Sequence, residues 1–562
     1  MNTAADGARF WFEAQPERLQ WELDRFEDQK LPATHRVARV GPGTNNARLV
    51  IDTELEYKNQ LMPIQVLFPF DYPDAPPEFH GPAGLLDRHQ TPDGTNLCWS
   101  ADPDRDWYPG RDAAYIVANN LRALLADLEK GASAVRAAEA DMPEPLSGFI
   151  RFERSHIVVV PDPFFAHTLP ASRGKLDLLR DNARLFLLKA EGLGEADRTL
   201  RRRFMPAGKQ EPRGYWVDLW SAPSVEAFNG TEDWDLPETV PELFRHLDST
   251  VRRKPFSLTG AWLGVTFMEE GPLRGQLRRN WVFGSVTYDP SGGATSVRWF
   301  PAQALTREER QRRTPELVGL EGARALVVGA GSLGAPVAFE LAKAGVGHID
   351  IVDPDIFDIN NAVRHGLPVT CAGQNKAEAV AEAAIGLNPF VALEHYDFTA
   401  QGGTNASEQL LELIRAATVV VDTTGSNSAA RLLQRFCLDS GRTLVIAGLT
   451  AGSYGAVLRI AVPSGPCFEC FVLRQDDGAI PPVSAAPPTS LVTPVGCSHP
   501  AFAGAGFEAT QLAAATSRAV VQLTGLCSYP EIGFNWAVMN FRDAPRWRSG
   551  VADRHPDCWR HT

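Results

Sequence analysis

The alternation of apolar and polar positions is most regular between residues 325 and 353. A β-branched run at 325–328 gives way to a helical period at 335–344 and then to a second apolar run at 348–352. Strand, helix and strand in this order predict a parallel α/β unit. The glycines Gly329, Gly331 and Gly334 separate the first strand from the helix, and the second strand ends at Asp353, about twenty residues later.

The rest of the chain predicts two further regions. Residues 1–140 predict a small α+β domain, with a helix around 10–23, strands at 36–40, 47–55 and 60–68, and a helix at 113–128. Residues 141–315 predict a mostly β linker or spacer with no assignable chemistry, and 281–300 in it predict a hairpin. Its other predicted strands are 149–160, 184–189, 214–221 and 260–269. A basic helix at 306–313 leads into an α/β domain at 316–562.

Composition supports a multidomain protein. A chain of 562 residues is too long for one core and predicts three or four domains. The net charge of −13 argues against nucleic acid as a partner. No apolar run approaches the roughly twenty residues of a membrane span, and the N-terminus lacks the order of a signal peptide, so we expect a cytoplasmic protein. Eight cysteines in this length do not form a disulfide framework and are considered individually.

The glycine turn predicts a nucleotide site. The first glycine permits a tight turn, the second lets phosphate approach the backbone, and the third lets the helix pack on the strand. A dinucleotide cofactor would fit these features as well as ATP. Arg364 and Lys376 follow in one short loop and helix, and two cations near a phosphate site favour a polyphosphate leaving group.

These residues resemble the ubiquitin-activating family, the adenylating enzymes that include bacterial activators of sulfur-carrier proteins. The resemblance implies a Rossmann-like adenylation domain that binds ATP and Mg²⁺. It implies that Asp422, after the later strand 417–421, holds the magnesium. It also implies that an arginine of the entry helix, Arg310 or Arg313, reaches the triphosphate across a homodimer. The remaining residues that it implies for nucleotide binding are Gly329, Gly331, Gly334, Asp353, Asp355, Asn361, Arg364 and Lys376.

A pair of cysteines, Cys467-x-x-Cys470, predicts either a zinc site or a redox dithiol. A redox pair normally opens a helix in a thioredoxin-like unit, which this region does not predict. The last residues offer Cys558 and His561 as further zinc ligands, with His555 as the competing histidine. The activating family closes its structural Zn²⁺ with a C-terminal cysteine pair, which Cys558-x-x-His561 resembles.

The first 130 residues resemble the ubiquitin-conjugating fold. They contain a Tyr-Pro-x-x-Pro-Pro turn from Tyr72 to Pro77, followed by His89, Cys98 and Trp107 in the order of that family. The resemblance implies that Cys98 carries a thioester. The family's His-Pro-Asn is replaced by His89-Gln-Thr, so the asparagine that stabilises the oxyanion is missing; Asn96 lies nearby at a different position.

Cys497 lies in Gly-Cys-Ser-His-Pro before a small-residue helix at 503–523, with His499 close by. A cysteine at a helix N-terminus is favoured as thiolate. The segment is similar to that of the autophagy activating enzyme, and the resemblance implies a second catalytic cysteine. Together the residues predict a relay in which an acyl-adenylate passes to Cys497, then to Cys98, and then to a target protein.

Conjugating-like and activating-like regions in one chain resemble the CD-NTase-associated protein 2 group of bacterial CBASS antiphage systems. The resemblance implies that the activated protein C-terminus belongs to a cyclic-oligonucleotide synthase. A separate ubiquitin-like protein is the other substrate that the sequence leaves open. A sulfur-carrier activator, which does not need Cys98, and an inactive nucleotide-binding scaffold are the alternative functions.

Overall fold

In the computed structural model, contacts divide the chain into two compact units. One comprises Met1–Ala196 and Gly208–Ala304, and the other comprises Asp197–Ala207 and Leu305–Thr562. The structure describes residues 10–39, 47–57, 59–83, 85–86, 89–91, 96–100, 102–129, 145–150, 152–153, 155–181, 184–198, 200, 209–210, 214–221, 261–271, 275–288, 294–400, 403–487, 504–544 and 546–561. Among these residues, no helix has the length and apolar character that a membrane crossing requires.

The N-terminal region begins with two helices, α1 (Trp11–Ala14) and α2 (Pro16–Asp28). The prediction of one helix here was wrong, because Pro16 has no backbone N–H and occupies the first position of a new helix. An antiparallel meander follows, and its first three strands confirm the predicted ones. The strands are β1 (Ala33–Arg39), β2 (Ala47–Tyr57), β3 (Gln60–Leu67) and β4 (Glu78–His80).

Two further helical segments complete this region. The first is α3 (Pro103–Asp106), and the second is continuous through α4 (Ala113–Tyr115), a π-helical turn (Ile116–Leu121) and α5 (Arg122–Glu129). Phe26, Ile64 and Phe79 are fully buried in one core with the second segment. Glu22 is buried with them, and its carboxylate accepts hydrogen bonds from the Arg18 guanidinium and the Tyr72 hydroxyl. These hydrogen bonds offset part of the cost of burying the carboxylate, and burial still raises the pKa of Glu22.

The middle region is a β-sheet closed on itself. Strand β6 pairs with both β7 and β10, so β7, β5, β13, β12, β11, β10 and β6 form a ring. The predicted 281–300 hairpin is confirmed. Residues 149–160 were predicted as one strand, but among the described residues of this range strand structure begins at Ile157. The strands are β5 (Ile157–Pro161), β6 (Arg173–Asp181), β7 (Arg184–Ala190), β8 (Gly194–Glu195), β9 (Lys209–Gln210), β10 (Gly214–Ser221), β11 (Ala261–Glu270), β12 (Leu277–Tyr288) and β13 (Ala294–Leu305).

The C-terminal unit is built on one mixed sheet with the strand order β16-β15-β14-β17-β18-β19-β20-β21. The five strands from β16 to β18 are parallel, and the other three are antiparallel. These strands are β14 (Arg324–Val328), β15 (His348–Val352), β16 (Ala392–Tyr396), β17 (Val419–Asp422), β18 (Thr443–Leu449), β19 (Gly455–Ala461), β20 (Trp536–Asn540) and β21 (Arg548–Gly550).

Helices cover this sheet and bury apolar side chains against it in two clusters. The helices are α6 (Arg307–Gln311), α7 (Gly334–Ala344), α8 (Lys376–Leu387), α9 (Thr404–Ala416), α10 (Asn427–Asp439), α11 (Phe468–Asp476) and α12 (Gly506–Thr524). From β14 the sheet extends to β15 and β16 on one side and to β17 and β18 on the other, so the strand order reverses beside β14. In open α/β sheets, ligands bind at the carboxyl ends of the strands at such a point.

Candidate functional site

The turn between β14 and α7 has the shape of a phosphate-binding loop. Gly329 has φ of 94°, a conformation that favours glycine. A Cβ on Gly334 would collide with the carbonyl oxygen of Gly329 and lie 2.5 Å from the Thr423 hydroxyl, so only glycine fits. Gly331 differs, because a Cβ there would meet no described atom within 4 Å. The turn is therefore tightly packed at its ends and open at its centre, beside the N-terminus of α7.

The backbone of Ala330 within this turn is held at both its N–H and its carbonyl oxygen. The Asp353 carboxylate accepts hydrogen bonds from the Ala330 N–H at 2.6 Å and the Asp355 N–H at 2.8 Å. His365 accepts the Leu367 N–H at Nδ1, and its Nε2 lies 2.7 Å from the Ala330 carbonyl oxygen. Burial lowers the pKa of His365 to about 4, so the ring is neutral and its Nε2–H donates to that oxygen.

The two predicted cations lie on the segment after β15. Lys376 is the first residue of α8, and its Nζ lies 2.8 Å from Asp355 Oδ2 with the lysine side chain only 11% exposed. The Arg364 Nη2 donates to Asn361 Oδ1 at 3.2 Å. Burial lowers the pKa of Arg364, but an arginine remains charged at neutral pH. Each of the two cations thus contacts a polar side chain of the same segment, Lys376 that of Asp355 and Arg364 that of Asn361.

Asp422 lies at the carboxyl end of β17, directly beside Val328 at the end of β14. Its Oδ1 accepts hydrogen bonds from the Thr424 N–H at 3.0 Å and the Thr424 hydroxyl at 2.7 Å. The residue is 2% exposed, and burial raises its pKa to about 6. The neighbouring Thr423 hydroxyl lies 2.7 Å from the Gly329 carbonyl oxygen, which joins this strand end to the glycine turn.

A pocket of about 160 Å³ opens beside Asp422, and its walls come from α10, β18, β19 and α11. A carboxylate at the edge of such a pocket suits Mg²⁺, which prefers oxygen ligands and completes its shell with water and phosphate oxygens. Asp422 therefore has the chemistry of the predicted magnesium ligand.

Cys467, Cys470, Cys558 and His561 form a compact cluster in which the potential ligand atoms lie within 4.8 Å of one another. The Cys467 sulfur is 3.8 Å from that of Cys470 and 3.6 Å from that of Cys558. A tetrahedral zinc with Zn–S bonds of about 2.3 Å places its sulfurs about 3.8 Å apart. The four residues therefore fit Zn²⁺. Burial raises the pKa of the Cys467 thiol to about 12 without a metal.

The two candidate histidines differ in their contacts. The buried His561 Nε2 has no hydrogen-bond partner among the described residues, as expected of an atom aimed at a metal. The ring of His555 is used elsewhere: its Nε2 lies 3.3 Å from Asp477, and its Nδ1 accepts the Asp557 N–H. The His555 backbone N–H donates to the Cys470 sulfur at 3.3 Å. These contacts favour His561 over His555 as the fourth member of the cluster.

Cys98 lies in the first unit and is partly exposed. Its backbone N–H donates to the His89 carbonyl oxygen at 2.7 Å, and His89 adopts φ of 61°. Asn96 is held through its backbone by Thr91, whose hydroxyl accepts the Asn96 N–H and whose N–H donates to the Asn96 carbonyl oxygen. The Trp107 indole donates to the Pro73 carbonyl oxygen, so it anchors the proline-rich turn.

Three other predicted features have different outcomes. Cys497 and His499 lie outside the described residues, and the helix after them is described from Gly506. Arg310 lines a pocket with Lys343 and Gly345 at the C-terminal end of α7. That end lies about 16 Å from the glycine turn, at 1.5 Å per residue, so Arg310 does not reach the turn of its own chain.

Sequence reasoning missed two polar residues of this region, His365 and Arg459. The position of His365 directly after Arg364 was the available signal for the first. Arg459 is the one charge within the apolar strand β19, and a charge in a buried strand is itself a sign of function.

The comparison with known proteins agrees with this geometry. Residues 309–526 match the model of the ThiF family. The resemblance of this region to adenylating enzymes is thereby confirmed. The match covers the sheet from β14 to β19 and α12, and it includes the glycine turn, Asp353, Arg364, Lys376 and Asp422.

Individual relatives are more distant. The chain is 23% identical to the Sinorhizobium fredii protein y4oA over 98% of this chain and 97% of that protein. It is 36% identical to the Bos taurus adenylyltransferase and sulfurtransferase MOCS3 over 31% of this chain. The chain spans 39% of the length of MOCS3. A solved structure of Escherichia coli MccB with succinimide aligns with 44% of this chain and with 73% of the MccB chain. The sequence identity is 19% and the TM-score is 0.35.

Proposed function

We propose that the ThiF-family region activates the C-terminal carboxylate of a partner protein by adenylation. One carboxylate oxygen attacks the α-phosphorus of ATP, the bond from that phosphorus to the bridging oxygen breaks, and pyrophosphate leaves with an acyl-adenylate remaining. The proposal is carried by one observation. The glycine turn, Lys376 and Asp422 meet at the carboxyl ends of adjacent strands, in the region that matches the ThiF family.

The residues of the site supply positioning and charge. The open Gly331 and the N-terminus of α7 receive phosphate, while the turn itself is held by Asp353 and His365. Arg364 and Lys376 neutralise the phosphates, which lowers the barrier to departure of pyrophosphate. Asp422 would hold Mg²⁺, which neutralises negative charge on the phosphates when it is bound.

The relay to two cysteines is the second part of the proposal. The Cys497 sulfur attacks the activated carbonyl and AMP leaves, and the Cys98 sulfur then accepts the acyl group with release of Cys497. It is supported by the partial exposure of Cys98 and by the position of Gly506, the first residue of α12. Cys497 lies nine residues before Gly506, where a Cβ would be 3.1 Å from the Arg364 Cα.

The proposed substrate is a cyclic-oligonucleotide synthase or a ubiquitin-like protein, joined finally to a target protein in bacterial antiphage defence. The support is the presence of Cys98 in a region of helices and an antiparallel meander whose sequence resembles the conjugating family. Zn²⁺ at Cys467, Cys470, Cys558 and His561 serves the fold in this proposal. A homodimer is part of this proposal: Arg310 lies at the other end of α7 from the glycine turn of its own chain, so it would act on the triphosphate only in a second copy.

A sulfur-carrier activator is the second candidate, favoured by the similarity to MOCS3. It needs the nucleotide site and has no use for Cys98.

Non-reducing gels separate the two candidates. The full chain is mixed with ATP, Mg²⁺ and the protein product of each neighbouring gene, and thiol-sensitive adducts are followed. The relay predicts that Cys98→Ala traps the partner on Cys497 and that Cys497→Ala forms no thioester. Adducts on Cys98 in the Cys497→Ala protein would overturn the order of transfer. A Cys98→Ala protein with unchanged transfer to its acceptor would favour the sulfur-carrier function.

A further inference from the structure

The pocket beside Asp422 contains a second charged residue, Arg459, on β19. The Arg459 Nη2 donates to the Gln475 side-chain oxygen at 2.8 Å, and its guanidinium carbon lies 5.5 Å from the centre of the Phe468 ring. Both contacts fix the position of the guanidinium without neutralising its charge. The two charges of the pocket, Asp422 and Arg459, thus have opposite sign.

The contacts described for Arg459 are with uncharged groups, an amide oxygen and an aromatic ring. Burial is the cause that lowers its pKa to about 10, and within the described part of the chain its ring and amide neighbours carry no negative charge. A desolvated cation without a counter-charge is costly, and such groups are retained where a ligand supplies the charge. Arg431 provides the contrast, since it lies over the same ring but outside the pocket and is paired with Glu469.

The shape of the pocket indicates which kind of ligand carries the negative charge to Arg459. Gly425 and Gly448 line the pocket without a side chain, and a Cβ on either would meet no described atom within 4 Å, so a peptide backbone has room to pass them. A peptide that follows this path brings one end to Asp422 and passes Arg459 with a side chain. The terminal carboxylate belongs at the Asp422 end, because the activated carboxylate must meet the nucleotide there.

We propose that Arg459 binds an acidic side chain, Asp or Glu, in the C-terminal segment of the activated protein, a few residues before its terminus. The inference rests on the proposed adenylation of a carboxyl terminus and names the chemistry that selects the partner. Pairing with Arg459 fixes the register of the segment, because a shift by one residue turns the acid away from the guanidinium. It thereby places the terminal carboxylate beside Asp422.

Peptide binding tests this without turnover. The probes are fluorescein-labelled peptides that end in Gly-Gly and carry one Asp at each of the third to sixth positions from the terminus, each with an Asn counterpart. Anisotropy is measured with the full-length wild type, Arg459→Gln and the control Arg431→Gln. Arg459→Gln is chosen because an amide retains a hydrogen bond to Gln475, and melting temperatures verify the fold of each variant.

The wild type is expected to bind one Asp peptide about tenfold more tightly than its Asn counterpart. Arg459→Gln is expected to reduce this preference to within about twofold, while Arg431→Gln retains it. A further variant, Arg459→Glu, is measured with an additional peptide that carries Lys at the preferred position, and it is expected to bind this peptide more tightly than the Asp peptide. Equal binding of every Asp and Asn pair by the wild type would overturn the inference.

ATP binding without peptide distinguishes the second source of an anion. If Arg459→Gln weakens ATP binding as much as peptide binding, the anion is a nucleotide phosphate and the inference is wrong. Failure of the proposed function looks different. Peptide binding that depends on Arg459, with no pyrophosphate exchange for any peptide, would support the acidic subsite and contradict adenylation.

Discussion

At the scale of single residues, Asp422 combines a cost in stability with its proposed role as the magnesium ligand. Its ordinary pKa is near 3.8 and burial raises the value to about 6. Between these pH values the folded protein keeps the proton that the unfolded chain has lost. The free energy of unfolding therefore falls as the pH rises from about 4 to 6, and the deficit persists above pH 6.

Asp422→Asn removes this deficit and retains an oxygen for both Thr424 hydrogen bonds. We expect the variant to be about 1–3 kcal/mol more stable than the wild type at pH 7.5 and to gain less at pH 5. We expect it to lose about 10²- to 10³-fold in adenylation rate, because the magnesium ligand is gone. Urea unfolding at both pH values and pyrophosphate exchange measure these effects. If the gain in stability over the wild type were smaller at pH 7.5 than at pH 5, the raised pKa of Asp422 would be contradicted.

Gly331 and Gly334 form a matched pair within one turn. Gly331→Ala meets no described atom within 4 Å, so we expect stability within about 0.5 kcal/mol of wild type and ATP binding weakened at least about tenfold, since the methyl group occupies phosphate space. Gly334→Ala collides with backbone, so we expect a loss of about 2–4 kcal/mol in stability. Thermal unfolding and calorimetry with ATP compare the two variants. Normal ATP affinity in Gly331→Ala would place the phosphates elsewhere.

At the scale of elements, the cysteine cluster joins the start of α11 to the residues after β21. A metal bound at this site would close a long loop in the chain, so its removal is expected to destabilise this corner of the sheet. The Phe468 N–H donates to buried Gln434 on α10, so the same corner supports a wall of the Asp422 pocket.

The two histidines near this cluster give a direct test of the ligand set. We expect purified wild type and His555→Ala to hold one zinc per chain by metal analysis. We expect His561→Ala to lose zinc or bind it about 10- to 100-fold more weakly, with a lower melting temperature. The reverse order of zinc retention would make His555 the ligand.

The sequence predicted correctly those elements that depend mainly on their own residues. The strands β14 and β15 and the turn between β14 and α7 followed from apolar runs and glycines. Pro16 was a sequence signal for a break between two helices, but the apolar positions on both sides of it led to the prediction of one continuous helix. Arg459 could not be assigned from sequence, because its meaning depends on Phe468 and Gln475, which approach it only in the folded sheet.

At the scale of the whole molecule, non-local pairing limited prediction. The ring in the middle region closes through β6 with β7 and through β5 with β13, and no sequence period encodes those partners. The strand segments were therefore predicted, but the closed sheet was not. The division of the chain at 140 and 315 stays a prediction, as does the resemblance of the first region to conjugating enzymes.

Pyrophosphate exchange tests the central claim, adenylation of a protein carboxyl terminus, most directly. The full chain is incubated with ATP, Mg²⁺, labelled pyrophosphate and each neighbouring gene product, either intact or lacking its last residue. We predict label in ATP with one intact partner, none with its truncated form, and loss of exchange in Lys376→Ala and Asp422→Asn. Exchange that does not change when the partner's terminus is removed, or ATP cleavage to ADP alone, would contradict the account.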